Sequence, residues 1–182
     1  MNTFFTSDTH FHHGNIIKYC NRPFNDTVEM NNIIINNWNN KVGKDDIIYH
    51  LGDFTFGGED YYLTNILSRL NGLIIFIKGN HDKLAWKLRD KFYAYSDSYR
   101  EIQVNGQDIT LSHYAMRVWN KSHRGAWHLY GHSHGTLPDD PNSLSFDCGV
   151  DCHNFTPLSF DEVAKIMAKK TFKPIDHHGK QE

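Results

Sequence analysis

The chain has 182 residues, 39% of them hydrophobic, which suits one folded domain with a sizeable core. A formal net charge of −2 gives no general cationic field, so long duplex nucleic acid is not an expected partner. No apolar run approaches the ~20 residues of a membrane span, "MNTFFTSD" lacks a signal peptide's basic region, and three cysteines are too few and odd for a disulfide scaffold, so a cytoplasmic protein without a membrane partner is expected.

The first apolar stretch, "FF", leads directly into "TSDTHFHHGN", which crowds an acid and three histidines into six residues. A helix is expected over Thr27 to Lys41, because Met30, Ile34, Trp38 and Val42 recur every four residues. Asp26 and Glu29 are spaced as a capping box at its start. Ile47 to Leu51 form a short strand. "GEDYYLTNILSRL" places Tyr62, Leu63, Ile66, Leu67 and Leu70 on one helical face, stopped by Asn71-Gly72. "LIIFIKGN" is a continuous apolar run, as in a strand buried on both faces. This alternation of strand and helix predicts a layered α/β domain.

Further on, Asn105-Gly106 sits between two alternating runs and predicts a hairpin. "AWHLYGHSHG" and "LSFDCGVD" are short strands ending in loops. "LSFDEVAKIMAKK" is a closing helix with Ser159 and Glu162 as its capping box. One domain is expected over residues 1–172, followed by a polar tail, 173–182.

The chemistry gathers where strands end. Successive strands finish in Asp8 and His10, in Asp53, in Asn80, His81 and Asp82, in His113, and in His132 and His134. Ligand sites in α/β sheets lie beyond the carboxyl ends of strands, so these segments are expected to share one crevice. Imidazole, carboxylate and amide oxygen together suit divalent transition metals. Gly52, Gly79 and Gly131 precede ligand positions and suit a close backbone approach.

The ordered set D-x-H, G-D, G-N-H-D, a later histidine and G-H-x-H resembles the calcineurin-like metallophosphoesterase family, in particular its compact bacterial and phage-type members. The resemblance implies two β-sheets in a sandwich flanked by helices. It implies two divalent ions, Mn, Fe, Ni or Zn with Mn favoured. Asp8, His10, Asp53 and His134 would hold the first, Asp53 bridging, and Asn80, His113 and His132 would complete the second. His81 would be catalytic and not a ligand. The implied activity is phosphoester hydrolysis, with a metal-bridging hydroxide attacking phosphorus in line. The substrate would be a small phosphoester, of nucleotide type or another small molecule, and a diester rather than a monoester. One departure bears on the substrate: "GDFTFGG" has Phe56 where the phosphoprotein phosphatase branch carries an acid, and no arginine follows, which disfavours that branch. The alternative function is a non-catalytic scaffold on the same fold; a metal store or sensor would call for softer ligands. Oligomeric state is not legible.

Outside the motifs the readings divide. His50 is expected to be a satisfied core histidine. His12 and His13 either contact phosphate or face solvent. Arg22 in "CNRPF" is either a bidentate phosphate clamp or a pin for its own loop. In "YAMRVWNKSHRGAW", Arg117, His123 and Arg124 could meet phosphate and Trp119 could stack on a base, or the segment is a connector with Trp119 buried. Asp82 could orient a neighbouring side chain. Cys148 and Cys152 are expected to be inert thiols, and His177 and His178 are not counted as ligands.

Overall fold

The structure is a computed structural model that describes residues 1–56 and 60–175; the side chains of Tyr61 and Tyr62 lie outside that description. Two sheets pack face to face with helices on the outside. The first has the order β4-β3-β2-β1-β9, built from β1 (Thr3–Thr6), β2 (Ile47–His50), β3 (Leu73–Ile77), β4 (Ala94–Ser96) and β9 (Leu158–Ser159). Strands β1 to β4 are all parallel, and β9 pairs antiparallel with β1. The second has the order β5-β6-β7-β8: β5 (Tyr99–Val104), β6 (Gln107–Ser112), β7 (Trp127–Tyr130) and β8 (Ser145–Asp147). Here β6, β7 and β8 are parallel, and β5 forms the antiparallel hairpin with β6. Asn105 and Gly106 both take left-handed backbone at its turn, as a two-residue type I′ hairpin needs.

Alternation along each strand explains the two cores. Phe5, Tyr49, Ile75 and Ile77 face the second sheet and meet Ile109, Leu111, Leu129 and Phe146, with Val163 and Met167 of α5 (Phe160–Met167) closing that layer. Phe4, Ile48, Ile74 and Phe76 point the other way. They pack on Met30, Ile34, Ile35 and Trp38 of α2 (Thr27–Lys41) and on Leu63 and Ile66 of α3 (Asp60–Arg69). A sheet covered on both faces needs apolar residues at every position, which is why β3 reads "LIIFI".

The expected helix at Thr27–Lys41 forms with those bounds. Its cap is half of the expected box. Asp26 accepts from the Val28 and Glu29 amides, whereas the Glu29 carboxylate turns to the Asn25 amide. The box at Ser159 and Glu162 is complete. Short elements escaped the sequence reading: α1 (Gly14–Tyr19), α4 (Lys83–Lys87), β4 and β9. Each is shorter than the window in which helix or strand periodicity becomes visible. Gly58, Glu59, His177 and His178 lie outside the described residues. Among the described residues no helix is long and apolar enough to cross a membrane.

Both sheets present the carboxyl ends of their parallel strands at one edge, and the two edges are stitched together. Ser7 forms an isolated parallel bridge with Gly149, and the Val150 amide donates to the Ser7 carbonyl at 3.0 Å. The loop after β1 is thereby held against the loop after β8. Trp38 anchors the helical layer: it is fully buried, and its indole N–H donates to the Asn71 carbonyl at 2.8 Å. Trp38→Ala is expected to lower the unfolding free energy by about 3–5 kcal/mol, read from urea denaturation at constant metal concentration.

Candidate metal centre

Each strand-end loop delivers its side chains to this shared edge. One ligand atom from each of Asp8, His10 and His134 lies within 4.8 Å of the others, and the same holds for Asp53, His113 and His132. The two groups adjoin at Asp53. Its Oδ2 is 3.6 Å from His10 Nε2 and 3.5 Å from His113 Nε2. The first group is closed by His10 Nε2 and His134 Nε2, each 4.0 Å from Asp8 Oδ1.

Bringing residues i and i+2 to one point from a loop needs unusual backbone. Asp8, His10, Asp53, His132 and His134 all have positive φ, between 47° and 68°. Left-handed backbone is unfavourable by roughly 1–2 kcal/mol for a residue with a Cβ, so its concentration here marks strain stored at a working site. Glycines permit the loops to touch. A Cβ on Gly131 would run into Ser7 Oγ and Asp8 Oδ2, and Gly52, itself at φ 99°, lies against the Gly79 amide.

The histidines are oriented from behind. His113 donates from Nδ1 to the Leu51 carbonyl at 2.8 Å, and His134 from Nδ1 to Asp151 Oδ2 at 2.7 Å. His10 Nδ1 meets His13 Nδ1 at 3.3 Å. In all three the Nε2 atom is left facing the cluster, as a ligating imidazole requires. The acceptors that meet there are short of donors. Asp8 Oδ1 and His10 Nε2 are buried with no hydrogen-bond partner, and Asp53 Oδ2 and Asn80 Oδ1 both converge on one donor, His113 Nε2, the latter at 2.9 Å. Converging buried acceptors need positive charge between them. A divalent cation would supply it, and the mixed nitrogen and oxygen set suits Mn, Fe, Ni or Zn.

Protonation follows the same geometry. Burial pushes Asp8 up to about 7 and His10 down to about 2. Burial also opposes ionisation of Asp53, but the hydrogen bond and charge of His113 hold it at about 2. Reciprocally, burial disfavours charge on His113, and Asp53 and Asp8 outweigh it to raise the imidazole to about 9.

The structure also places the residues outside these two groups. His81 is exposed beside His10, with ring centroids 5.8 Å apart, and its amide donates to Asp53 Oδ1. His13 lies at the site, stacked on Phe56 at 4.0 Å. His12 is held against α2, its amide donating to Asn31 Oδ1. Arg22 is not a phosphate clamp: its side chain is 0% exposed, and its N–H groups go to Asp151, the Asp8 and Thr9 carbonyls and Met30 Sδ. Arg124 follows the connector reading. Its turn packs at the start of β6, where Lys121 pairs with Asp108, whereas His113 leaves the other end of a strand about 20 Å long. Arg117 and Trp119 line a cavity of about 520 Å³ over the outer face of β7, and none of the proposed ligands borders it. Trp119 is half-buried and donates to the Ala126 carbonyl, so it serves the connector.

His50 is a core histidine, fully buried, with Nε2 on Thr9 Oγ1, and burial pushes it down to about 3. Cys148 is buried and Cys152 exposed, and all three cysteines are free. Asp82 orients backbone and not a side chain: its carboxylate accepts from the amides of Asp53, Phe54 and Gly79.

Sequence reasoning missed Asp151, Lys78 and Tyr114. Asp151 follows β8 just as the other site residues follow their strands, and that signal would have found it. Lys78 and Tyr114 line a groove of about 310 Å³ with Gly79, Asn80, Asp97, Ser98 and His113. Tyr114 is 53% exposed and packs on His132 at 4.6 Å.

Comparison with known proteins finds relatives of the whole chain. The family model for calcineurin-like phosphoesterase matches residues 1–111. An uncharacterized protein of Methanocaldococcus jannaschii is 38% identical over 169 residues, covering 90% of this chain and 89% of its own. The gene 66 protein of Mycobacterium phage D29 is 25% identical over 201 residues, 91% of this chain and 96% of its own. A crystal structure of a protein of unknown function from Aquifex aeolicus aligns with a TM-score of 0.75 and 28% identity, covering 91% of this chain and 98% of the other. Gly131→Ala is expected to displace Asp8 and lower the Mn bound per chain, measured by elemental analysis after gel filtration, while circular dichroism stays that of the folded protein.

Proposed function

Because this chain belongs to the calcineurin-like phosphoesterase family, we propose that it is a dinuclear metal-dependent hydrolase of small phosphodiesters. The observation that carries the reading is Asp53 Oδ2 standing between His10 Nε2 and His113 Nε2, where it joins two ligand groups. Asp8, His10 and His134 would hold one ion, His113, His132 and Asn80 the other, and Asp53 both. Two such ions, when bound, polarise the phosphoryl oxygens and generate a strong nucleophile from water near neutral pH. The nitrogen and oxygen ligand set admits Mn, Fe, Ni or Zn, and manganese is taken as the working ion.

The chain's own residues do the rest. The His81 ring stands in the open mouth beside His10 and supplies a proton to the leaving oxygen. Its placement comes from its amide, which Asp53 Oδ1 accepts at 2.8 Å. Two exposed aromatic rings flank the two ligand groups. Phe56, 43% exposed, sits beside His13 and His81; Tyr114 sits beside His113 and His132. A diester carries two substituents, and a ring on each flank suits a nucleotide-type pair. The groove of about 310 Å³ next to Asn80 admits a small group and not a duplex. Lys78 lines that groove, with its ammonium on Asp97 at 3.2 Å.

After loading with Mn, Ni or Zn, the protein is expected to turn over bis-p-nitrophenyl phosphate faster than p-nitrophenyl phosphate. Absence of turnover in protein carrying two ions would instead support the scaffold alternative. His81→Ala is expected to lower kcat by about 10²–10⁴-fold with Mn uptake unchanged, whereas Asp53→Asn is expected to lose both. Phe56→Ala and Tyr114→Ala should each raise KM for a dinucleotide about five-fold or more in steady-state assays, and unchanged KM in both would remove the nucleotide preference.

A further inference from the structure

Arg22 and Asp151 are 129 positions apart and meet under the first ligand group. Asp151 Oδ1 accepts from Arg22 Nε at 2.8 Å. Its Oδ2 accepts twice, from Arg22 Nη2 at 2.8 Å and from His134 Nδ1 at 2.7 Å. The rest of the guanidinium grips the loop after β1, donating to the Asp8 carbonyl at 2.7 Å and the Thr9 carbonyl at 3.0 Å. These are the two carbonyls between Asp8 and His10, in backbone with φ of 57° at Asp8 and 49° at His10. One buried ion pair therefore reaches this group through the His134 ring and through the carbonyls of Asp8 and Thr9, the two peptides that lead from Asp8 to His10.

The second group has other supports, and it meets the first where the His132 amide donates to Asp8 Oδ2 at 2.9 Å. Leu51 orients His113, and Asp82 holds the amides of Asp53 and Gly79. Among the described residues, no hydrogen bond of Arg22 or Asp151 reaches Asp53, Asn80, His113 or His132. Cys20 lies near enough to Asp151 and His134 to suggest a third ligand group. The Asp151 oxygens are already engaged by Arg22 and His134, so that group is better explained as part of the same support.

We propose that the Arg22–Asp151 pair is a positioning device for one metal position only: Asp151 fixes the His134 tautomer that leaves Nε2 free to ligate, and Arg22 locks the Asp8–Thr9–His10 backbone. This rests on the dinuclear reading given above. A histidine that ligates through Nε2 must carry its proton on Nδ1, and Asp151 is the acceptor that keeps it there. Lysine could not replace Arg22, because a single ammonium cannot serve a carboxylate edge and two carbonyls in one plane.

The test is Mn titration of the metal-free full-length protein, by calorimetry and by electron paramagnetic resonance. Wild type is expected to take two ions and give the spectrum of a coupled pair. Asp151→Asn offers one oxygen where three donors arrive, and it should weaken one ion by about 10–100-fold while the other holds within about two-fold. Its spectrum at intermediate Mn should be that of an isolated ion. An unpaired buried Arg22 can unfold that variant, so the double variant Arg22→Met, Asp151→Leu removes both charges together. Folding of each is checked by circular dichroism. A folded variant that binds both ions as wild type does, or loses affinity equally at both, overturns the proposal and leaves the phosphoesterase reading standing. Wild type that takes up no ion overturns both.

Discussion

Buried acceptors crowded around Asp53 set the terms for the rest of the molecule. Its Oδ2 lies between two imidazole Nε2 atoms, and Asp8 Oδ1 and His10 Nε2 nearby have no donor. Such a cluster is unfavourable unless positive charge enters it, because desolvated acceptors repel and lose their water. The fold is arranged to hold it regardless. Parallel strands bring five loops to one edge, and the Ser7 bridge to Gly149 joins the edges of two sheets whose facing layer is apolar.

Holding the cluster needs rigidity more than reach. Five of the seven proposed ligands sit on left-handed backbone, which relaxes unless neighbours over-determine it. Those neighbours are charged and buried: Asp82 on three amides, and Arg22 on two carbonyls. Removing a member of such a set leaves an unpaired buried group, so a site of this kind tolerates little drift. The open side is different in character. His81, Phe56, Tyr114 and Lys78 line it with partly exposed rings and one cation, and a substrate can meet them without disturbing the supports beneath.

The motif residues were readable because each motif is a local event: a strand stops, and the next few side chains are ligand types. The layered α/β class, the helix at Thr27–Lys41 and the hairpin at Asn105-Gly106 were readable for the same reason, since periodicity and turn chemistry act over a few residues. The short α1, α4, β4 and β9 carry too few residues for a period, and they exist because packing completes them. Arg22, Arg117 and Arg124 show where sequence reasoning about charge fails. Each is a cation near a motif in sequence. One is consumed by Asp151, one borders a separate cavity, and one sits at the wrong end of β6.

By itself, then, the sequence determined which chemistry was available: carboxylates, an amide and imidazoles at successive strand ends, with small residues before them. Those properties belong to single side chains and their immediate neighbours. Only the tertiary structure decided which atom of each ring faces inward and that Asp82 and Asp151 serve as supports. The reason is distance along the chain. His134 takes its orientation from Asp151, His113 from Leu51, and Asp8 from Arg22, and contacts of such separation are set by how sheets stack and not by any local pattern.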